Sequence, residues 1–324
     1  MRQMLNKLLA QADSIAIGGH VRPDGDCVGS CMGLYQYIRE VWKEKEVDVY
    51  LEDIPDVHKF IEATKDIRHE IVQGKTYDLF ICLDCGDADR LGFSLPLFRS
   101  ARKTFCVDHH VSNREFADVN YIFPDASSTS ELVYDLIDKD KISMRTAEAL
   151  YLGIVHDTGV FQYSCASPST FEAAAELLRK GIDGPKIIED TFYEKTYAQN
   201  QVLGRALLES ILLLEGRCIA SYLTKKQMEF YGVTAKDLDG IVSQLRVTKG
   251  VEAALFLYEL EPNVYKVSLR SGDMVDVSRV AQYFGGGGHK KAAGFSMTGT
   301  HRDVMSNVIK QIALQLPDTE EKES

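Results

Sequence analysis

Apolar residues follow two rhythms along this chain. In the first half, short unbroken runs alternate with stretches spaced for helices. The runs are SIAIGG (14–19), VDVYLE (47–52), DLFICLD (78–84) and KTFCVD (103–108). Runs this short, rich in Val, Ile and Phe and bounded by polar residues, predict buried strands. Helical spacing covers 27–42, 56–64, 128–139, 145–156 and 168–180. Strands alternating with helices predict βαβ units, hence an α/β fold on a mostly parallel, doubly wound sheet over residues 1–185.

A second texture starts near residue 186. KIIEDTFYEKTYAQNQVLGRALLESILLLEG (186–216) keeps helical spacing with few breakers and predicts one long helical linker. RCIASYLT (217–224), EAALFLYEL (252–260) and VYKVSLRS (264–271) predict strands, the last two joined as a hairpin through an EPN turn. Helices are expected over 276–284 and 301–316. Together these describe a smaller α/β domain over 217–316, followed by a charged, disordered tail at 317–324.

Polar chemistry collects where the first-half strands end. SIAIGG runs into His20, Asp24 and Asp26, DLFICLD ends on Asp84, and KTFCVD leads to Asp108, His109 and His110. Asp157 follows a helix in GIVHDTGVF. In an open α/β sheet, ligands bind outside the carboxyl ends of the strands, so parallel neighbours would bring these groups to one edge. Taken singly, each Asp reads as a turn residue or a helix cap, and His156 as a packed helix-end histidine. Taken together, four or more carboxylates in one cleft repel each other unless cations lie between them. Oxygen and imidazole donors suit Mn²⁺, Mg²⁺ or similar ions, and so many donors suit two ions sharing a carboxylate. Such pairs typify phosphoryl hydrolases.

A later run, YFGGGGHKKAAGF, lets backbone approach a ligand closely and sets His289, Lys290 and Lys291 beside it. It lacks the G-x-x-x-x-G-K-[ST] pattern of a nucleoside triphosphate loop. Gly286, Gly287, Gly288 and His289, with Arg270 at the end of a predicted strand, are the expected anion contacts. Arg279 on the next helix reads equally as a further anion contact or as a solvated position.

Composition narrows the class. A net charge of −11 speaks against a long duplex DNA track and favours small or short anions. Seven scattered cysteines, an odd number in 324 residues, read as reduced thiols rather than a disulfide scaffold. MRQMLNKLLAQAD is too polar for a secretory leader, and no apolar run spans a bilayer. A cytoplasmic location without membrane contact is therefore expected.

GHVRPDGDCVGS, LDCGDADRLG, VDHH, HDTGVF and GGGGHKKAAGF occur in this order. The set resembles the DHH phosphoesterases, and its last member resembles the DHH-associated domain of their nanoRNase and RecJ-type branch. The resemblance implies one ion on His20, Asp24 and Asp84, and a second on Asp26, Asp84, His109 and Asp157. It implies Mn²⁺ as the usual pair, with Mg²⁺ or Co²⁺ as substitutes. His110 would transfer a proton or bind phosphate, Asp108 would orient the histidines, and Arg114 would add a phosphate contact. The implied activity is hydrolysis of short single-stranded RNA to mononucleotides, and of 3′-phosphoadenosine 5′-phosphate to AMP. The substrate would lie between the two domains, and a homodimer is compatible with the family. Rivals are a cyclic di-AMP or pApA phosphodiesterase and, in another class, a non-catalytic nucleotide sensor. Relatives often carry Arg where this chain has Gln162, which affects the expected phosphate contacts and leaves the ligands untouched.

Overall fold

The computed structural model describes residues 2–317, which divide into two units with the boundary between Glu194 and Lys195. The first unit runs α1 (Arg2–Gln11), β1 (Ser14–Gly18), α2 (Gly25–Val41), β2 (Glu46–Tyr50), β3 (Ile67–Arg68), β4 (Leu79–Leu83), α3 (Leu95–Ser100), β5 (Thr104–Asp108) and β6 (Val119–Ile122). Then follow α4 (Thr129–Leu136), α5 (Met144–Asp157), α6 (Pro168–Leu178) and α7 (Gly184–Ile188). The six strands form one sheet in the order β3-β2-β1-β4-β5-β6, every pair parallel. The doubly wound expectation holds. Strand order reverses between β1 and β4, which opens a crevice at their carboxyl ends. β4 is buried along its whole length because both sheet faces are covered.

Two helices carry acidic groups to that crevice. α2 crosses α5 so closely that a Cβ on Gly29 would lie 2.6 Å from the Ala149 carbonyl oxygen. Only glycine permits this approach, which lets the N-terminus of α2 meet the C-terminus of α5. The stretch 56–64 forms two short 3₁₀ turns, Asp56–His58 and Glu62–Asp66, rather than the expected helix.

The first of these turns buries His58 with neither ring nitrogen hydrogen-bonded, its ring 5.0 Å from that of His156. Burial, reinforced by His156, lowers its pKa from 6.5 to about 3. The folded state therefore resists protonation that the unfolded chain accepts near 6.5. Stability is complete above that pH and falls as pH drops toward 3. Denaturant unfolding across this range is expected to show a shallower acid decline in His58→Leu than in the natural protein. Parallel declines would remove His58 from the account.

In the second unit the elements are α8 (Tyr197–Leu208), β7 (Ile211–Leu213), β8 (Cys218–Leu223), α9 (Lys225–Tyr231), α10 (Ile241–Arg246), β9 (Ala253–Glu261) and β10 (Val264–Ser271). α11 (Val277–Tyr283), β11 (Gly287–His289), β12 (Ala292–Thr298) and α12 (His301–Ala313) complete it. Its sheet order is β11-β12-β10-β9-β8-β7, with only β8–β9 parallel. β9 alternates its side chains between two cores. Leu255 and Leu257 pack with Val304 and Val308 on one face, and Ala254 and Phe256 with Ile241 and Leu245 on the other.

The linker expectation needs correction. Residues 186–216 are not one helix: α7 passes into a π turn at Glu189–Tyr193, and a new helix starts at α8. Thr196 and Gln199 form a capping box that fixes this restart. The apolar ILL then pairs with β8 instead of continuing helically. Leu214, Glu215 and Gly216, all at positive φ, make the tight turn between those strands. Of the expected tail at 317–324, all but Pro317 lies outside the described residues; the Pro317 carbonyl accepts a hydrogen bond from Arg217 Nη1 at 2.7 Å.

Candidate metal centre

Four chain segments converge at the crevice. His20 lies two residues beyond β1, and its Nε2 is 3.4 Å from Asp84 Oδ2 and 3.5 Å from Asp24 Oδ1. Asp24 also caps α2 by accepting from the Cys27 amide. Asp84 follows β4 directly and adopts φ 57°, a left-handed conformation that Asp tolerates better than most residues. That turn splits its two oxygens. Oδ2 faces His20, while Oδ1 lies 3.7 Å from His109 Nε2, 3.6 Å from His110 Nδ1 and 3.2 Å from Thr129 Oγ1. His109 Nε2 reaches Asp157 Oδ2 at 3.1 Å. Asp26 sits against the N-terminus of α4, its oxygens accepting from the Thr129 amide at 2.7 Å and the Ser130 amide at 2.9 Å.

Backbone contacts orient the imidazoles. His20 Nδ1 contacts the Val21 carbonyl at 2.9 Å, and His109 Nδ1 the Ala126 carbonyl at 3.3 Å. A carbonyl only accepts, so Nδ1 carries the proton and Nε2 points at the acids, the arrangement usual for metal-ligating histidines. His110 Nδ1 lies 2.7 Å from Asp108 Oδ1, and Asn113 Nδ2 donates to Asp108 Oδ2 at 2.7 Å.

The electrostatics call for cations. Burial pushes the Asp26 carboxyl well above the usual range, and the charges of Asp84 and Asp157 push it further. Burial likewise raises Asp157, which ends α5 where the helix dipole disfavours an anion. Burial alone would lower His20 and His109, but hydrogen bonds and charge from the facing carboxylates outweigh it. Their pKa values rise to about 11 and about 10. Without metal, then, protons on the two imidazoles offset part of the crowded negative charge. Asp24 goes the other way: burial opposes, but its bond to His20 holds it below the usual range.

Three ligand sets have donor atoms mutually within 4.8 Å: His20–Cys27–Asp84, Asp84–His109–His110 and Asp26–His109–Asp157. Oxygen and imidazole donors with Asp84 common to two sets fit divalent ions. Every acid and histidine expected at this edge is here, and His110 shares a donor set with Asp84 and His109. Thr129, Ser130, Asn113 and Cys27 were not legible in the sequence. The first three act through bonds to residues far along the chain or on another element; the sequence marks Cys27 only as one of seven reduced thiols. Arg114 is exposed on the loop after His110, and Gln162 is exposed after the HDTG turn.

In the second unit, the glycine run is partly strand. Gly287, Gly288 and His289 pair with β12 at the sheet edge. Cβ atoms on Gly286 or Gly288 would lie about 2.5 Å from β12 backbone, so these two glycines serve packing as well as any ligand. Arg270, Ala292 and His289 share one cross-strand row. Arg270 and His289 therefore emerge on one face, about 10 Å apart in backbone.

The domain comparison identifies both units. The DHH family, N-terminal domain, matches residues 14–154, and the DHHA1 domain matches 215–315. The chain carries a DHH domain followed by a DHHA1 domain. It is 27% identical over 302 residues to the bifunctional oligoribonuclease and PAP phosphatase NrnA of Bacillus subtilis, covering 92% of this chain and 93% of that one. It is 30% identical over 315 residues to the cyclic-di-AMP phosphodiesterase PdeA of Listeria monocytogenes, covering 89% of this DHH chain but 45% of that protein. A crystal structure of an exopolyphosphatase-related protein from Bacteroides fragilis matches with a TM-score of 0.89 at 29% identity, covering 97% and 95% of the two chains. Among the described residues no helix is long and apolar enough to cross a membrane.

Proposed function

We propose that this DHH hydrolase is a two-metal phosphoesterase that cuts short oligoribonucleotides to mononucleotides and converts 3′-phosphoadenosine 5′-phosphate to AMP. The observation that carries the reading is the division of Asp84, one oxygen toward His20 and the other toward His109 and His110. His20, Asp24 and Asp84 hold one ion, and Asp26, Asp84, His109 and Asp157 hold the other, with Mn²⁺ the preferred metal. Bound there, the ions supply a nucleophile from water and positive charge for the phosphoryl oxygens. The Thr129 and Ser130 amides fix Asp26, and the Val21 and Ala126 carbonyls keep both Nε2 atoms aimed inward. His110, its proton supported by Asp108, donates to the leaving oxygen or holds phosphate. Arg270, Gly286, Gly287, Gly288 and His289 contact the substrate's phosphate or base, and Arg114 adds a phosphate contact. A cytoplasmic location suits seven unpaired thiols.

The full-length NrnA match favours oligoribonucleotides and PAP, whereas the PdeA match favours a cyclic dinucleotide. Rates on short RNAs, PAP, pApA and cyclic di-AMP, with Mn²⁺ and after chelation, decide between them. The expected result is metal-dependent turnover of RNA and PAP well above that of cyclic di-AMP. Dominant turnover of cyclic di-AMP or pApA would favour the second reading. Binding without turnover of any substrate would leave a nucleotide sensor.

A further inference from the structure

Cys27 is the one member of the clustered donors that a hard-ion phosphoesterase does not require. It is fully buried, and its sulfur shares a 4.8 Å donor set with His20 and Asp84. It also occupies the first turn of α2, where burial, the Cys31 thiol and the charges of Asp84 and Asp24 hold it as a neutral thiol until a cation offsets them. His20 already aims Nε2 toward Asp84, since its Nδ1 is engaged by the Val21 carbonyl. The Cys27 thiol donates to the His20 carbonyl oxygen at 3.9 Å and contacts the Cys31 thiol, both weak bonds that it can give up for another partner.

From this arrangement we propose that His20, Cys27 and Asp84 form a soft-metal mode of the centre, in which a thiophilic divalent ion of the zinc or cadmium class is held by sulfur, nitrogen and oxygen. The inference rests on the metal-centre reading and adds to it. As the sulfur–metal bond forms, the S–H bond breaks and its proton passes to solvent; no electron is transferred. Hard Mn²⁺ gains little from sulfur, so Cys27 remains a thiol beside it. Zn²⁺ gains a thiolate on top of its greater affinity for nitrogen and oxygen donors. The site thus discriminates among metals through one side chain, and the soft mode draws on two donors, His20 and Asp84, that the hydrolytic mode also uses.

The test uses the metal-free full-length chain, with Co²⁺ as a spectroscopic probe and Zn²⁺ in competition with Mn²⁺. Cys27→Ser keeps the side-chain volume, and Cys27→Ala removes the donor outright; circular dichroism checks both folds. The natural protein is expected to show a near-ultraviolet sulfur-to-cobalt charge-transfer band that both variants lack. The preference for Zn²⁺ over Mn²⁺ should fall ~10-fold or more in each variant. Stoichiometric Co²⁺ binding without that band overturns the inference while leaving the metal centre standing. So does an unchanged Zn²⁺ preference in a folded variant. Failure of the natural protein to bind either Mn²⁺ or Co²⁺ overturns the metal-centre reading itself. If both variants misfold, the presence or absence of the band in the natural protein decides.

Discussion

Asp84→Ala is expected to lower kcat with Mn²⁺ by ~10³-fold or more, about 4 kcal/mol of transition-state stabilisation. The size follows from geometry. The two oxygens of Asp84 face opposite sides of the cluster, so its loss would remove a donor from both proposed ion sites at once. Asp24 or Asp157 would each remove a donor from one. The fold should survive, because Asp84 lies outside the strand core and its removal relieves repulsion on Asp26. Alanine does carry a backbone penalty at φ 57°, roughly 1 kcal/mol. Asp84→Asn tolerates that conformation and separates the two effects. Its unfolding midpoint should stay close to that of the natural protein while its activity stays near that of Asp84→Ala. Near-normal turnover of either variant at saturating Mn²⁺ would be incompatible with a shared carboxylate.

The second large effect concerns His110. Its hydrogen bond to Asp108 raises its pKa from 6.5, against burial and with further help from the Asp84 charge. A raised pKa favours the protonated ring, the form that can give a proton to a departing oxygen. His110→Ala should cost ~10²- to 10⁴-fold in kcat. Asp108→Asn is the sharper probe. An amide has one acceptor and one donor end, whereas the carboxylate accepts from both His110 and Asn113. Either amide orientation leaves a donor facing a donor. Asp108→Asn also removes the contact that raises His110 most, so the alkaline fall of kcat should move to lower pH. A profile that keeps the natural alkaline limb, merely scaled down, would show that His110 is not the titrating acid.

The parts of the site legible in the sequence were those set by strand direction. His20, Asp84 and Asp108 each follow a short buried run, and parallel strands must deliver such residues to a common edge. Less legible was what crosses the chain. Asp26 is held by amides more than a hundred residues away, a bond to backbone that leaves no trace in residue type. Cys27 looked like a core thiol because burial and ligation can share one position. The two-residue β3 and four-residue β6 lie at the sheet edges, where a half-buried strand shows no continuous apolar run. In 186–216 helical spacing was real, yet the capping box at Thr196 and the turn at Gly216 divided it into separate elements.

Counting bound manganese in the purified full-length protein, by equilibrium dialysis with metal analysis, addresses the dinuclear centre most directly. The account predicts two Mn²⁺ per natural chain and a loss of tight binding in Asp84→Asn. A single ion in both proteins, or none in either, would contradict it.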